Sequence, residues 1–180
     1  FKKISLLISY LIILLDFIVY KIFNRNLRYK IQDSLRKLSI ININHNNIKM
    51  RFFTPSDLTF WRAKTFHKKE PETLVWIDKF VLNKHKKTIF WDIGANVGSY
   101  SIYAGKKYKK KIEIFAFEPS GLNLGILSKN IVLNKLENEI SICQLGLTNE
   151  KKKFLKMHES ADEEGGALSN FGNNTDFGGK

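Results

Sequence analysis

Apolar residues run almost unbroken over residues 4–20, where Ser5, Ser9 and Asp16 alone interrupt them. A basic, helix-compatible stretch follows over 25–38. Over 39–53 the period changes: Ile alternates with Asn, and the end is apolar at Ile48, Met50 and Phe52. Period two around Asn46-Asn47 predicts a small hairpin. Pro55-Ser56-Asp57 opens a helical lead-in. Glu70-Pro71-Glu72 opens another, with Pro in a tolerated first position and an acid that suits the helix dipole. Leu74, Ile77 and Val81, with Trp76 and Phe80, give this helix an apolar face, and its aromatics are expected to pack in the core.

The pattern then shortens. Thr88-Ile89-Phe90-Trp91 is β-branched or aromatic, as a buried parallel strand requires. Asp92 stands at the strand end, followed by Gly94, Ala95, Asn96, Val97 and Gly98 and a helical run over 99–108. Strand, glycine turn and helix in that order make a nucleotide-cofactor loop. Glycine lets backbone approach the ligand, and the helix N-terminus offers N–H groups. Residues 111–117 read as the next parallel strand, closed by Glu118 and by Pro119, which cannot extend a ladder. Glu118 falls 26 residues after Asp92, a spacing that fits strand, loop, helix and strand. A helix carrying Leu122, Ile126, Leu127 and Ile131 follows Ser120, and a third strand is expected over 139–145. Residues 153–158 read as a short extra strand. The glycine-rich stretch 165–170 reads either as part of an acceptor pocket or as a solvated turn.

These positions narrow the cofactor. In doubly wound sheets an acid at the tip of the second strand takes the hydroxyls of an adenosine ribose, and a carboxylate can accept from both. The loop is G-x-x-x-G, not the G-x-G-x-x-G of dinucleotide sites, and Ser99-Tyr100 stands where a phosphate loop needs Lys-Ser or Lys-Thr. Asp92 suits an ammonium better than a pyrophosphate. Both acids together point to S-adenosylmethionine. Candidate cofactor contacts are Asp92, Gly94, Ala95, Asn96, Gly98, Glu118, Pro119, Ser120 and Asn123, with Glu70 and Thr73 from the lead-in. Asn130 and Asn134 are expected to fix the end of their helix. Adenine is expected near 144–147.

The runs FWDIGANVGSYSIYA, FAFEPS and ILSKNIVLN, with the upstream RAKTFHKKEPETLVWIDKF, resemble the FkbM family of S-adenosylmethionine-dependent methyltransferases over residues 53–171. The resemblance implies a Rossmann-like class I methyltransferase fold: α/β, a doubly wound parallel sheet, preceded here by a hydrophobic helix and a small hairpin. It also implies methyl transfer to oxygen, commonly on a sugar or a glycosylated small molecule. At 180 residues the sheet is expected to be incomplete, a fragment short at its C-terminus. The family's later acid-bearing strand block is not found in this sequence, and no general base is assigned. Three segments are expected: 1–38 helical, 39–87 a lead-in, and 88–180 the first half of the methyltransferase domain. A catalytically silent, membrane-associated module on the same scaffold is the alternative.

The net charge of +13 raises nucleic acid as a partner, but no nucleic-acid motif accompanies it, and the expected acceptor is a small molecule or saccharide. The single cysteine, Cys143, excludes an internal disulfide and is expected as a small core residue. His45, His67, His85 and His158 lack metal-ligand spacing, so no metal is expected. The apolar run 4–20 leaves a signal anchor, a peripheral membrane helix and a helix packed in an oligomer open. No small-residue cleavage site follows it. The heavier basic flank, Lys21, Arg25, Arg28 and Lys30, would keep the enzyme domain cytoplasmic.

Overall fold

The computed structural model describes residues 1–82, 85–147, 157–159, 162–167 and 170–171. The chain forms two compact units, Phe1–Ile40 and Ile41–Lys180. The first contains helix α1 (Lys2–Phe23) and helix α2 (Leu27–Leu38). Asn24 ends α1 in the left-handed conformation that often closes a helix. Asp16 is the one buried residue of α1. Its carboxylate accepts the Arg28 N–H at 2.9 Å and lies 3.4 Å from the Arg28 guanidinium, so the acid inside the apolar run is paired at the start of α2.

The second unit begins with the expected hairpin, β1 (Ile40–His45) and β2 (Ile48–Phe53). Asn46 and Asn47 both take positive φ, 49° and 63°, as a tight two-residue hairpin turn demands. Helix α3 (Asp57–Lys69) starts at a capping box in which Ser56 and Thr59 satisfy each other's backbone N–H. Helix α4 (Pro71–Asp78) follows directly. Leu74 and Ile77 are its buried residues. Trp76 stays 56% exposed and Val81 lies beyond the helix end, so the apolar face is narrower than the pattern suggested.

Three parallel strands follow in the order β3 (Thr88–Ile93), β4 (Ile112–Phe117) and β5 (Ile140–Cys143). Helix α5 (Ser99–Tyr108) and a short 3₁₀ turn over Lys109–Lys111 join the first two, and helix α6 (Gly121–Asn134) joins the second pair. Asp92 is inside β3, paired with Ala116, rather than at its tip. Cys143 ends β5 half-buried, not deep in the core. Met157–His158 forms β6, paired antiparallel with β7 (Asn170–Phe171); residues 153–156 of the expected extra strand lie outside the described residues.

Among the described residues one face of the sheet is covered and the other is largely open along β3. Phe90, Ile112, Ile114, Ala116 and Ile140 join a core with Ile102, Tyr103 and Ala104 of α5, Leu127 and Ile131 of α6, and Met50 and Phe52 of β2. Each large apolar side chain buried there contributes about 1.5–3 kcal/mol. On the opposite face Ile89, Trp91 and Ile93 alternate along β3 at 64%, 58% and 61% exposure. Parallel sheets are normally covered on both faces. The α/β architecture is therefore Rossmann-like, with an incomplete doubly wound sheet. The hairpin and lead-in belong to the same compact unit as the sheet.

Candidate cofactor site

The glycine turn between β3 and α5 is held shut by its own hydrogen bonds. The N–H groups of Gly94 and Ala95 both reach the Phe117 carbonyl, at 2.9 and 3.0 Å, and so tie the turn to the end of β4. The Asn96 N–H donates to Glu118 Oε2 at 2.7 Å, and the Val97 N–H donates to the Asn96 side chain at 2.9 Å. Gly98 donates to the Ala95 carbonyl at 2.8 Å and caps α5 with φ 84°. Glycine has no side chain to serve the first N–H groups of that helix. Asp92 does so instead: its Oδ2 accepts the Ser101 N–H at 3.0 Å and the Ser101 hydroxyl at 2.5 Å. Burial pushes the Asp92 carboxyl above its ordinary range, against the pull of these two donors.

Glu118 is equally committed. Oε1 accepts from the Ser120 N–H at 2.9 Å and from Asn123 Nδ2 at 3.3 Å, and the residue is buried. The carboxylate thus ties together the first turn, the second strand tip and the start of α6. Pro119 is half-buried beside it.

A cavity of about 370 Å³ opens at the strand tips. That volume lies in the small-molecule range. Glu70, Thr73, Asp92, Gly94, Ala95 and Asn96 line it, so the structure gathers six of the candidate residues around one space. Gly98, Glu118, Pro119, Ser120 and Asn123, also expected at the cofactor, are not part of that lining. An added Cβ on Gly94 meets no atom within 4 Å, whereas one on Gly98 meets Leu127 Cδ1 at 2.5 Å. The two glycines therefore have different reasons to be glycine. Gly94, at φ 79°, faces open space, and Gly98 sits against the core.

Sequence reading missed Arg62. It lines the cavity with Phe66 and Lys69, at i, i+4 and i+7 on one face of α3, and that helical period was a usable signal. Burial lowers the Arg62 pKa, against the opposing pull of Glu118 and Glu70. Tyr100, also in the lining, is pushed well above the ordinary phenol range by burial and by Glu70, so it remains protonated at neutral pH.

The glycine-rich stretch is docked rather than solvated, as far as residues 165–167 show it. The Gly165 N–H donates to Asn123 Oδ1 at 2.8 Å. Asn96 and Asn123 donate to the Gly166 carbonyl at 2.6 and 3.0 Å, and Arg62 Nε donates to the Gly165 carbonyl. Residues 168 and 169 lie outside the described residues.

Asn130 and Asn134 do not close their helix; Lys135 does, in the left-handed conformation. Asn130 Oδ1 accepts the Phe53 N–H at 2.7 Å, and its Nδ2 donates to the Val97 carbonyl at 2.9 Å. Asn134 exchanges both bonds with the Arg51 backbone, at 2.9 and 2.7 Å. Two strand residues span about 6.6 Å and four helical residues about 6 Å, so α6 meets β2 rung for rung. The His45 and His67 rings lie tilted against each other with centroids 5.3 Å apart, a proximity that sequence spacing could not show. Among the described residues no group of three ligating side chains could hold a metal.

No protein-family model matches the chain. It is 38% identical over 58 residues to methyltransferase sdnD of Sordaria araneosa, a match covering 32% of this chain and 22% of that protein. The chain therefore spans about a fifth of the length of this curated relative. Among solved structures it matches precorrin-6y C5,15-methyltransferase from Geobacter metallireducens with TM-score 0.35 and 26% identity, over 43% of this chain and 39% of that one. It also matches the SAM-dependent methyltransferase from Agrobacterium tumefaciens with TM-score 0.39 and 14% identity, over 59% of this chain and 32% of that one. Over the stretch shared with the curated relative, this chain is similar to a methyltransferase.

Proposed function

We propose that this chain carries the cofactor half of an S-adenosylmethionine-dependent methyltransferase of the FkbM type, acting on an oxygen of a sugar or glycosylated small molecule. The observation that carries the reading is the Gly94 turn, open to a cavity and hydrogen-bonded through Asn96 to an acid at the next strand tip. The match to a named methyltransferase supports it. The acceptor class rests on the sequence resemblance. The basic flank after α1 supports a domain on the cytoplasmic side.

The residues present fit the group. Gly94 leaves room for a ligand to approach the backbone. Glu118 has about four lone-pair sites and uses three among the described residues, which leaves capacity for a ribose hydroxyl. Arg62 and Glu70 place opposite charges on the cavity wall, a match for the carboxylate and ammonium of an amino-acid end. When bound, S-adenosylmethionine would supply a sulfonium methyl carbon for in-line attack, its carbon–sulfur bond breaking as the nucleophile–carbon bond forms and a neutral thioether leaving. The protein's part is to orient and exclude water. Asp92 and Glu118 hold the loop rigid for that task, and Trp76 and Trp91 wall the cavity.

Calorimetric titration is expected to show binding of S-adenosylmethionine and none of NAD; heat with NAD alone overturns the reading. The silent-module alternative draws on one observation: Asn96 and Asn123, both expected at the cofactor, are bonded to Gly165 and Gly166. Absence of heat with either ligand would favour it.

The two glycines are expected to fail differently. Gly98→Ala combines positive-φ strain with a clash against Leu127, about 2–4 kcal/mol together, and should lower the melting temperature by about 5–15 °C. Gly94→Ala carries only the strain, about 1–2 kcal/mol, but should weaken S-adenosylmethionine binding tenfold or more, roughly. Melting curves and titrations of both variants check this. Equal affinity in Gly94→Ala would make the turn purely structural.

A further inference from the structure

Helix α1 has the length of a membrane span without the surroundings of one. Within its 22 residues an 18-residue stretch reaches mean hydropathy 2.2, and its apolar side chains are exposed on nearly every side. At about 1.5 Å per residue it could cross a hydrocarbon core of about 30 Å. The start of α2 changes that geometry. Arg28 is docked on Asp16 by its backbone N–H and its guanidinium, seven residues before α1 ends at Phe23. Ile12, Asp16 and Val19, at i, i+4 and i+7, are the covered positions of α1, and Leu27 and Ile31 are those of α2. An arginine and the start of a helix thus lie beside Asp16, inside the apolar length of α1. Above Asp16 the charge-free apolar stretch is residues 4–15. Twelve residues reach about 18 Å, short of a span.

We propose that α1 and α2 form a hairpin that inserts into one leaflet of an anionic membrane without crossing it. Helix α1 lies among the acyl chains, and α2 lies at headgroup level. Charge selects this occupant. From Lys21 to Lys37 there are six basic residues, Lys21, Arg25, Arg28, Lys30, Arg36 and Lys37, against the single acid Asp33. Such a surface is drawn to anionic lipid and repels a second copy of itself. Lys2 and Lys3, at the other end of α1, then remain on the same membrane side as α2, where a span would separate them.

The test uses the full chain. In flotation with vesicles, binding to phosphatidylcholine with phosphatidylserine should exceed binding to phosphatidylcholine alone by about tenfold, and should fall with salt. In sealed membrane vesicles from expressing cells, Lys2→Cys and Ser34→Cys, each in a Cys143→Ser background, should react with an impermeant maleimide from the same side. Labelling from opposite sides means a span and overturns the proposal. A chain that floats with neither vesicle and sediments as a discrete oligomer also overturns it. The flotation arm needs no substitution, so it stands even where Cys143→Ser disturbs the fold.

Discussion

Asn130→Leu is expected to lower stability by roughly 2–6 kcal/mol, about 1–3 for each of two buried backbone groups left without a partner. Asn130 has no measurable exposure, and its amide serves the Phe53 N–H and the Val97 carbonyl together. Leucine matches the amide in size but can serve neither. Domains of this kind have about 5–15 kcal/mol in total, so the loss is a large fraction. The urea midpoint should fall with an unchanged slope, because the surface exposed on unfolding stays the same. Val132→Ala, on an exposed position of the same helix, should stay within about 0.5 kcal/mol. Binding should suffer too. Val97 belongs to the glycine turn, and Asn130, from within α6, links this turn to the hairpin. Equal midpoints for the two variants would mean that other groups serve Phe53 and Val97.

The same residue shows where sequence reading stops. Periodicity located the hairpin, α3 to α6 and the parallel strands, because each is a local pattern of two or 3.6 residues. Near the end of a helix an Asn reads as a cap, since that is its commonest local use. Its actual partners lie 77 and 33 residues away, and nothing local marks them. Arg62 shares a helical face with Phe66 and Lys69, a period the sequence does record, but α3 is rich in cations and the cavity is what singles this face out. Gly165 and Gly166 carried a loop composition with no register, so their docking against Asn96 and Asn123 was illegible. In the sequence Asp16 is one of three interruptions of an apolar run, and its pairing with Arg28 turns it into a fixed point. The site was legible in part for a related reason. Glycine and acid positions are set by backbone geometry, which sequence spacing does record. Which atoms those acids engage is set by tertiary packing.

Glu118→Gln should weaken binding of the proposed cofactor by about tenfold or more, and should also destabilise the unliganded chain. Among the described residues the carboxylate accepts three hydrogen bonds, from the Asn96 and Ser120 N–H groups and from Asn123 Nδ2. Gln has one acceptor oxygen, and its NH₂ can only donate. Whichever way it turns, an N–H donor faces an N–H donor. At least one charge-assisted bond of about 1.5–3 kcal/mol is lost before any ligand arrives. A fall in affinity alone would therefore not place Glu118 on the ribose, since a loosened Asn96 turn produces the same loss. Two further measurements separate the causes. Glu118→Asp keeps charge and acceptor count but draws the carboxylate back by one methylene, so it tests reach. A cofactor analogue without ribose hydroxyls removes the direct contact and leaves the turn as it was. If Glu118 holds the ribose, the affinity ratio of Glu to Gln should shrink toward the purely structural value with this analogue. If the ratio is the same for both ligands, Glu118 acts only by holding the glycine turn to the start of α6. If Gln binds the normal cofactor as tightly as Glu, both roles fail, and the acid at the strand tip is not part of the site.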